Sequence, residues 1–287
     1  MLLPALLWMI LFCYWPMYGI QLAFRKFEFQ KGLTGGEFVG LKYFMQYFTS
    51  PMFGVTMRNT FVISLTSIVV GFPMPIILAL VINHLRNGKV KKAVQTVVYM
   101  PYFISTVVMV SLLQILCSPN GGIVTQLLRM LHIIGEQTNL LGSPRTFVPL
   151  YVLSGVWQSC GWNSIIYIAA LSAIDTELYD AAKVDGASKW QLVRFVELPG
   201  ILPTVVTLLI MNMGRILSVG FEKIFLMQNS VNKGVSEVIS TYVYNIGILS
   251  NQFSFGTAVG LFNNVINLVC LAAVNYIVKR KTDVSIM

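Results

Sequence analysis

Charge is what this sequence has least of. Asp, Glu, Lys and Arg make up 11% of its 287 residues, where a soluble domain carries about 25%. That shortage leaves too few groups to cover a water-facing surface and excludes an ordinary soluble domain. Cysteine is scarce too. Cys13, Cys117, Cys160 and Cys270 stand apart, with no metal-ligand or redox spacing, and read as small buried hydrophobes. The two histidines, His84 and His132, are far apart in sequence and have no neighbour that suggests a metal or a proton relay. There is no GxxxxGK[ST] phosphate cradle, no HExxH, no nucleophile elbow and no pair of intramembrane carboxylates. The chain is expected to hold no metal or cofactor and to catalyse no reaction. If it moves a solute, the energy comes from elsewhere.

What is present is apolar length. Hydrophobic residues make up 56% of the chain, and the mean hydropathy is +0.72. A helix needs about 20 apolar residues to cross the hydrocarbon of a bilayer. Six stretches meet that need: Leu2–Phe24, Asn59–Ile82, Val94–Cys117, Phe147–Ile174, Ile201–Val219 and Thr257–Val278. None contains Asp or Glu, and Arg215 is the sole basic residue inside them. The first is too long for a secretory h-region and reads as a retained span. The expected architecture is an all-α polytopic membrane protein of six spans, forming one domain over residues 1–287.

Lys and Arg set the expected orientation. Arg86, Lys89, Lys91 and Lys92 crowd one short loop, Lys183, Lys189 and Arg194 another, and Lys279, Arg280 and Lys281 the tail. In a six-span chain these segments share a side, which places both termini in the cytoplasm. Arg25, Lys26, Lys31, Lys42 and Arg58, in the first outer loop, weaken that balance without reversing it. The net charge of +9 does not point to nucleic acid, because the basic residues are split among short loops and form no stripe. Pro4, Pro16, Pro73, Pro75, Pro101 and Pro203 fall within the spans. Pro73 and Pro75 suggest a bent second span. Gly256 and Gly260 form a GxxxG that permits close helix approach.

Between the fourth and fifth spans lies the loop "YDAAKVDGASKWQLVRFVELPGILPT", residues 179–204. Asp175 is a candidate N-cap with Glu177 in the first turn, so a helix is expected over Thr176–Asp185. Gly186 suits the left-handed residue that ends it. Ser188 and Gln191 fit a capping box that starts a second short helix running to about Glu197. Pro199 and Pro203 mark the return to the membrane. Mixed charge beside the small residues Ala181, Ala182, Gly186 and Ala187 favours a protein partner over anionic lipid.

The run Asp180-Ala181-Ala182, three residues, Gly186, nine residues, Val196-x-Leu198-Pro199 resembles the E-A-A-x3-G-x9-I-x-L-P loop of binding-protein-dependent ABC importer permeases. Asp180 and Val196 are its two departures, for Glu and Ile. "FVGLKYFMQYFTSPMFGVTMRNTFVIS" is similar to the first outer loop and second-span entry of the carbohydrate branch. "LLPALLWMILFCYWPMYGIQLAF" and "GVWQSCGWNSIIYIAALSAID" resemble the subgroup that imports complex oligosaccharides, including alginate- and pectin-derived ones. The resemblance implies the type I importer (MetI-like) permease fold, with the loop as a coupling helix that docks on a cytoplasmic ATPase through Asp180, Ala181, Ala182, Gly186 and Leu198. It further implies a second, related permease, two ATPase subunits that hold ATP and Mg, and an external solute-binding protein that delivers a sugar. The alternative is a secondary transporter or channel, disfavoured by the lack of an intramembrane acid.

A sugar path needs aromatic faces for C–H surfaces and adaptable polar groups for hydroxyls. Trp157, Gln158, Trp162, Asn163 and Tyr167 supply these in span four, Asn212 and Arg215 in span five, and Asn263, Asn264 and Asn267 in span six. The same tryptophans suit interfacial anchoring and the same amides suit interhelical hydrogen bonds. Arg215 faces an acidic sugar or snorkels to the outer interface.

Overall fold

The computed structural model describes residues 2–33, 36–85, 87–136 and 138–281; Arg86 of the expected basic loop lies outside them. Helices dominate, and among the described residues β pairing is limited to two isolated bridges. Helix α1 spans Leu3–Phe24 and α2 spans Pro51–Asn83. Helices α3 (Gly88–Phe103) and α4 (Thr106–Leu116) meet at 98°. Helix α5 is Pro144–Ser172, α6 Thr176–Val184 and α7 Lys189–Met213. Among the helices that follow are α8 at Phe221–Met227, α9 at Ile239–Leu249 and α10 at Phe253–Lys281.

Proline chemistry accounts for much of the helix geometry. A proline inside a helix lacks its N–H and crowds the carbonyl four residues back. In α1, one π turn (Ile10–Tyr14) precedes Pro16 and absorbs that crowding; a tighter 3-10 segment then runs to Phe24. In α7, a second π turn, Val193–Glu197, does the same before Pro199. The helix therefore does not end near Glu197 as expected; it runs unbroken from the charged loop into the fifth apolar stretch. At Pro73 the interruption is one residue, Phe72, and α2 continues as a single 33-residue span.

Pro101 acts differently. It is the second residue of a 3-10 turn, Met100–Phe103, after which Ile104 and Ser105 are extended. The Ser105 side chain accepts from the Val108 amide and caps α4. The Ile104 carbonyl is left out of the helix ladder and accepts a 2.8 Å bond from Gln158 Nε2 on α5. The expected span Val94–Cys117, which Pro101 interrupts, is thus two arms around a corner, stabilised by a side chain 54 residues away.

By length and composition, four described helices qualify as membrane spans, or five if α3 and α4 count as one. The stretch expected as span four, Phe147–Ile174, is the 29-residue α5. At about 1.5 Å per residue it is long enough to cross, but it is not apolar enough to qualify. Ser154, Gln158, Ser159, Asn163 and Ser164 lower its hydropathy. This helix is also the central one. Its first half joins Ile63, Met109, Val110 and Ile224 in one buried cluster. Its second half joins Ala79 and Ile201 in another.

Glycines mark two close approaches. A Cβ on Gly161 of α5 would overlap the Val98 carbonyl oxygen of α3 and stand 3.1 Å from the Tyr99 nitrogen. Gly161→Ala is therefore expected to cost about 2 kcal/mol through overpacking, read as a lower unfolding temperature in detergent. Gly54→Ala, whose Cβ would meet nothing within 4 Å, should not lower it. Gly256 packs on Gly247 of α9, so half of the expected GxxxG makes a contact; a Cβ on Gly260 would meet nothing within 4 Å.

Candidate functional site

The charged loop has the expected local structure. Asp175 accepts from the Glu177 amide at 2.9 Å and starts α6. Gly186 adopts φ +73°. Its amide bonds the Lys183 carbonyl, and the Ala187 amide bonds that of Ala182. Together these form a Schellman ending, which needs a left-handed residue and so favours glycine. Ser188 and Gln191 then form the capping box that starts α7. Asp180, Ala181 and Gly186 are exposed, Ala182 is half-buried and Leu198 is partly exposed at the first turn after the bulge. Asp180 pairs with its own Lys183 at 2.8 Å. Val184 and Trp190 project either side of the turn, Val184 with 88% of its surface bare.

One carboxylate ties this loop to the spans. Glu197, in the π turn of α7, is fully buried. Its Oε1 accepts from Asn83 Nδ2 at 2.8 Å and from the Tyr179 hydroxyl at 3.3 Å; its Oε2 lies 3.1 Å from His84 Nε2. The end of α2, the middle of α6 and the start of α7 thus meet on a single side chain. Burial, then the adjacent Glu197 carboxylate, raises the Tyr179 phenol above its ordinary value. Glu197 occupies the x of the Val196-x-Leu198-Pro199 run, which carries no expectation in the motif.

A cavity of about 890 Å³ opens between α2, α5, α7 and α8. Five of the expected path residues line it: Gln158, Trp162, Asn163, Tyr167 and Asn212. Trp162 is held by parallel stacking on Tyr102 at 4.6 Å and by the edge of Phe103, both at the α3 corner. Gln158 spends one donor on Ile104, and Asn212 bonds its own helix at the Leu208 carbonyl.

The other five lie elsewhere. Trp157 is 53% exposed and outside the cavity wall. Arg215 is exposed in the turn after α7 and does not line the cavity. Asn267 acts as glue: its Oδ1 accepts from the Leu217 amide and its Nδ2 donates to Ser218. Asn263 is on the same helix with a buried Oδ1, and Asn264 lines a separate recess near Ile20 and Gly247.

The cavity's one charged lining residue among those described is Lys223, which sequence reasoning missed. It follows the fifth apolar stretch and reads as a loop lysine. Short helix α8 instead turns it inward, leaving 9% of its surface exposed. Its Nζ donates to the Tyr151 carbonyl at 2.6 Å and sits 4.5 Å from the Tyr151 ring centre. Desolvation pushes its ammonium down to about 8.

Residues 71–283 match the model of a family described as "binding-protein-dependent transport system inner membrane component". The chain is 40% identical over 280 residues to the polygalacturonan/rhamnogalacturonan transport system permease protein YteP of Bacillus subtilis, covering 98% of this chain and 87% of that one. It is 36% identical to the LplB protein of the same organism, with the same coverage. A crystal structure of a bacterial ABC transporter involved in import of the acidic polysaccharide alginate contains a chain 38% identical, with a TM-score of 0.90 over 98% of this chain and 94% of that one. A related structure holds that transporter in complex with alginate pentasaccharide-bound periplasmic protein, with the same TM-score and identity.

Proposed function

Because the chain belongs to the binding-protein-dependent transport system inner membrane components, we propose that it is the permease subunit of an ATP-driven importer and forms half of a path for an oligosaccharide. The similarity to a sugar importer over nearly the whole chain, at a TM-score of 0.90, carries this reading. One domain over residues 1–287 serves the role. A second related permease completes the path, two cytoplasmic ATPases hold ATP and Mg, and an external binding protein delivers the sugar. The permease itself catalyses nothing. It sits in the inner membrane with both termini in the cytoplasm.

In this reading α6 and its Gly186 turn dock on an ATPase through Asp180, Ala181, Ala182, Gly186 and Leu198. The bare Val184 and Trp190 side chains supply apolar area for that contact. Glu197 passes loop movement to α2 and α7. Within the cavity, Trp162 offers a sugar face, and Gln158, Asn163, Tyr167 and Asn212 offer polar groups to hydroxyls. Trp157, Arg215, Asn263, Asn264 and Asn267 serve packing or anchoring.

The experiment is reconstitution of the purified complex in liposomes. Co-purification with an ATPase, and uptake of an oligosaccharide that requires both ATP and the loaded binding protein, are expected. Sugar uptake that proceeds without ATP hydrolysis, with no ATPase bound, would replace this reading with a secondary transporter.

A further inference from the structure

Resting on the importer reading above, we infer that Lys223 is the site in the transport cavity that receives a sugar carboxylate, so that the oligosaccharide carried is built from acidic sugars. The observation is a buried cation without a counter-ion. Lys223 lines the cavity with 9% of its surface exposed. Among the described residues the ion pairs involve Lys31, His84, Lys183 and Lys233, and none involves Lys223. A buried charge is costly unless it is paired and hydrogen-bonded. The Tyr151 carbonyl and ring offset part of that cost. An ammonium has three donors, and the carbonyl takes one.

The wall is shaped to keep the remaining donors accessible. A Cβ on Gly155, one turn along α5 from Tyr151, would come within 3.2 Å of Lys223 Nζ. Glycine at that position leaves the ammonium clear. Around it lie Gln158, Ser159, Asn163 and Asn212 for hydroxyls and Trp162 for a pyranose face. The volume of about 890 Å³ lies high in the range of about 300–1,000 Å³ usual for ligand sites, which suits more than one sugar ring. Among the described residues Lys223 is the one charged group in the lining, and a single ammonium matches the single charge of a carboxylate. A phosphorylated sugar brings a larger charge and is ordinarily met by several donors or an arginine fork.

Binding is measured on the assembled complex in nanodiscs, with tetragalacturonate and the neutral galactotetraose as probes. The wild-type complex is expected to favour the acidic probe by about tenfold, as one unpaired charge in a partly desolvated site implies. Salt should weaken the acidic probe alone. Lys223→Gln should bring the ratio near one, and Lys223→Arg should retain most of it. Equal loss of both probes in Lys223→Gln, with no change in their ratio, would make Lys223 a brace for Tyr151 and overturn the inference. So would a wild-type complex that binds neither probe, binds both equally or shows no salt effect, a measurement that needs no variant. If that same complex still takes up a neutral sugar with ATP, the importer reading survives; if it takes up no sugar with ATP, both readings fall.

Discussion

Replacing Gly186 with proline is expected to cut substrate uptake by about a hundredfold while leaving the permease inserted in the membrane. Gly186 holds φ +73°, and proline is locked near −65°. Proline would also remove the amide that bonds the Lys183 carbonyl and disfavour the conformation of Asp185 before it, at φ −72° and ψ 1°. A misfit of about 3 kcal/mol reduces the correctly shaped turn by about two decades. Membrane insertion depends on the apolar spans and should not change. Gly186→Ala keeps the amide and adds a Cβ that meets nothing within 4 Å. It carries only the left-handed penalty of about 1 kcal/mol, so about a fivefold loss is expected. ATP hydrolysis and uptake measured side by side check the proposal. A fall in uptake per ATP consumed identifies the turn as part of the docking contact, and normal uptake in the proline variant removes that assignment.

Glu197→Leu should destabilise the permease by about 3 kcal/mol, because it leaves Asn83, Tyr179 and His84 without their buried acceptor. Thermal unfolding in detergent reads the loss. Glu197→Gln should cost less. Its amide oxygen still accepts from Asn83 and Tyr179, and its amide nitrogen can donate to His84 Nε2 when the imidazole proton sits on Nδ1. Glu28 is the control. It pairs with Lys31 at 2.7 Å on the surface, where such pairs contribute little, and Glu28→Gln should leave stability unchanged. If Glu197→Leu behaves like Glu28→Gln, the three-helix tie is not what holds α6 in place. If stability falls and uptake per ATP falls with it, Glu197 transmits as well as anchors.

The elements most legible in the sequence are those whose signals are local. The Asp175 cap, the Gly186 turn and the Ser188–Gln191 box each involve residues within five positions, and each is present. Span lengths are legible for the same reason, since hydropathy is a running property of the chain. The second loop helix runs past Glu197, where the sequence places its end, because a π turn absorbs Pro199, and nothing in residues 193–198 announces that turn. Proline does mark the α3 corner, but its angle depends on Gln158. Asn263, Asn264 and Asn267 share a helix and a chemistry, yet only the positions of their neighbours separate glue from recess.

The sequence by itself determined that this chain crosses a membrane several times, that it has no phosphate cradle, HExxH or nucleophile elbow, and that a capped, glycine-centred loop stands between its fourth and fifth apolar stretches. Composition and short-range backbone chemistry suffice for those. Only the tertiary structure decided that Lys223 belongs to the cavity and Arg215 does not, and that Glu197 joins α2, α6 and α7. The Lys223 ammonium meets a carbonyl 72 residues away and the Glu197 carboxylate an amide 114 residues away. Whether a charge ends in water or in a wall is set by which helices pack around it, and helix packing is a property of the whole chain.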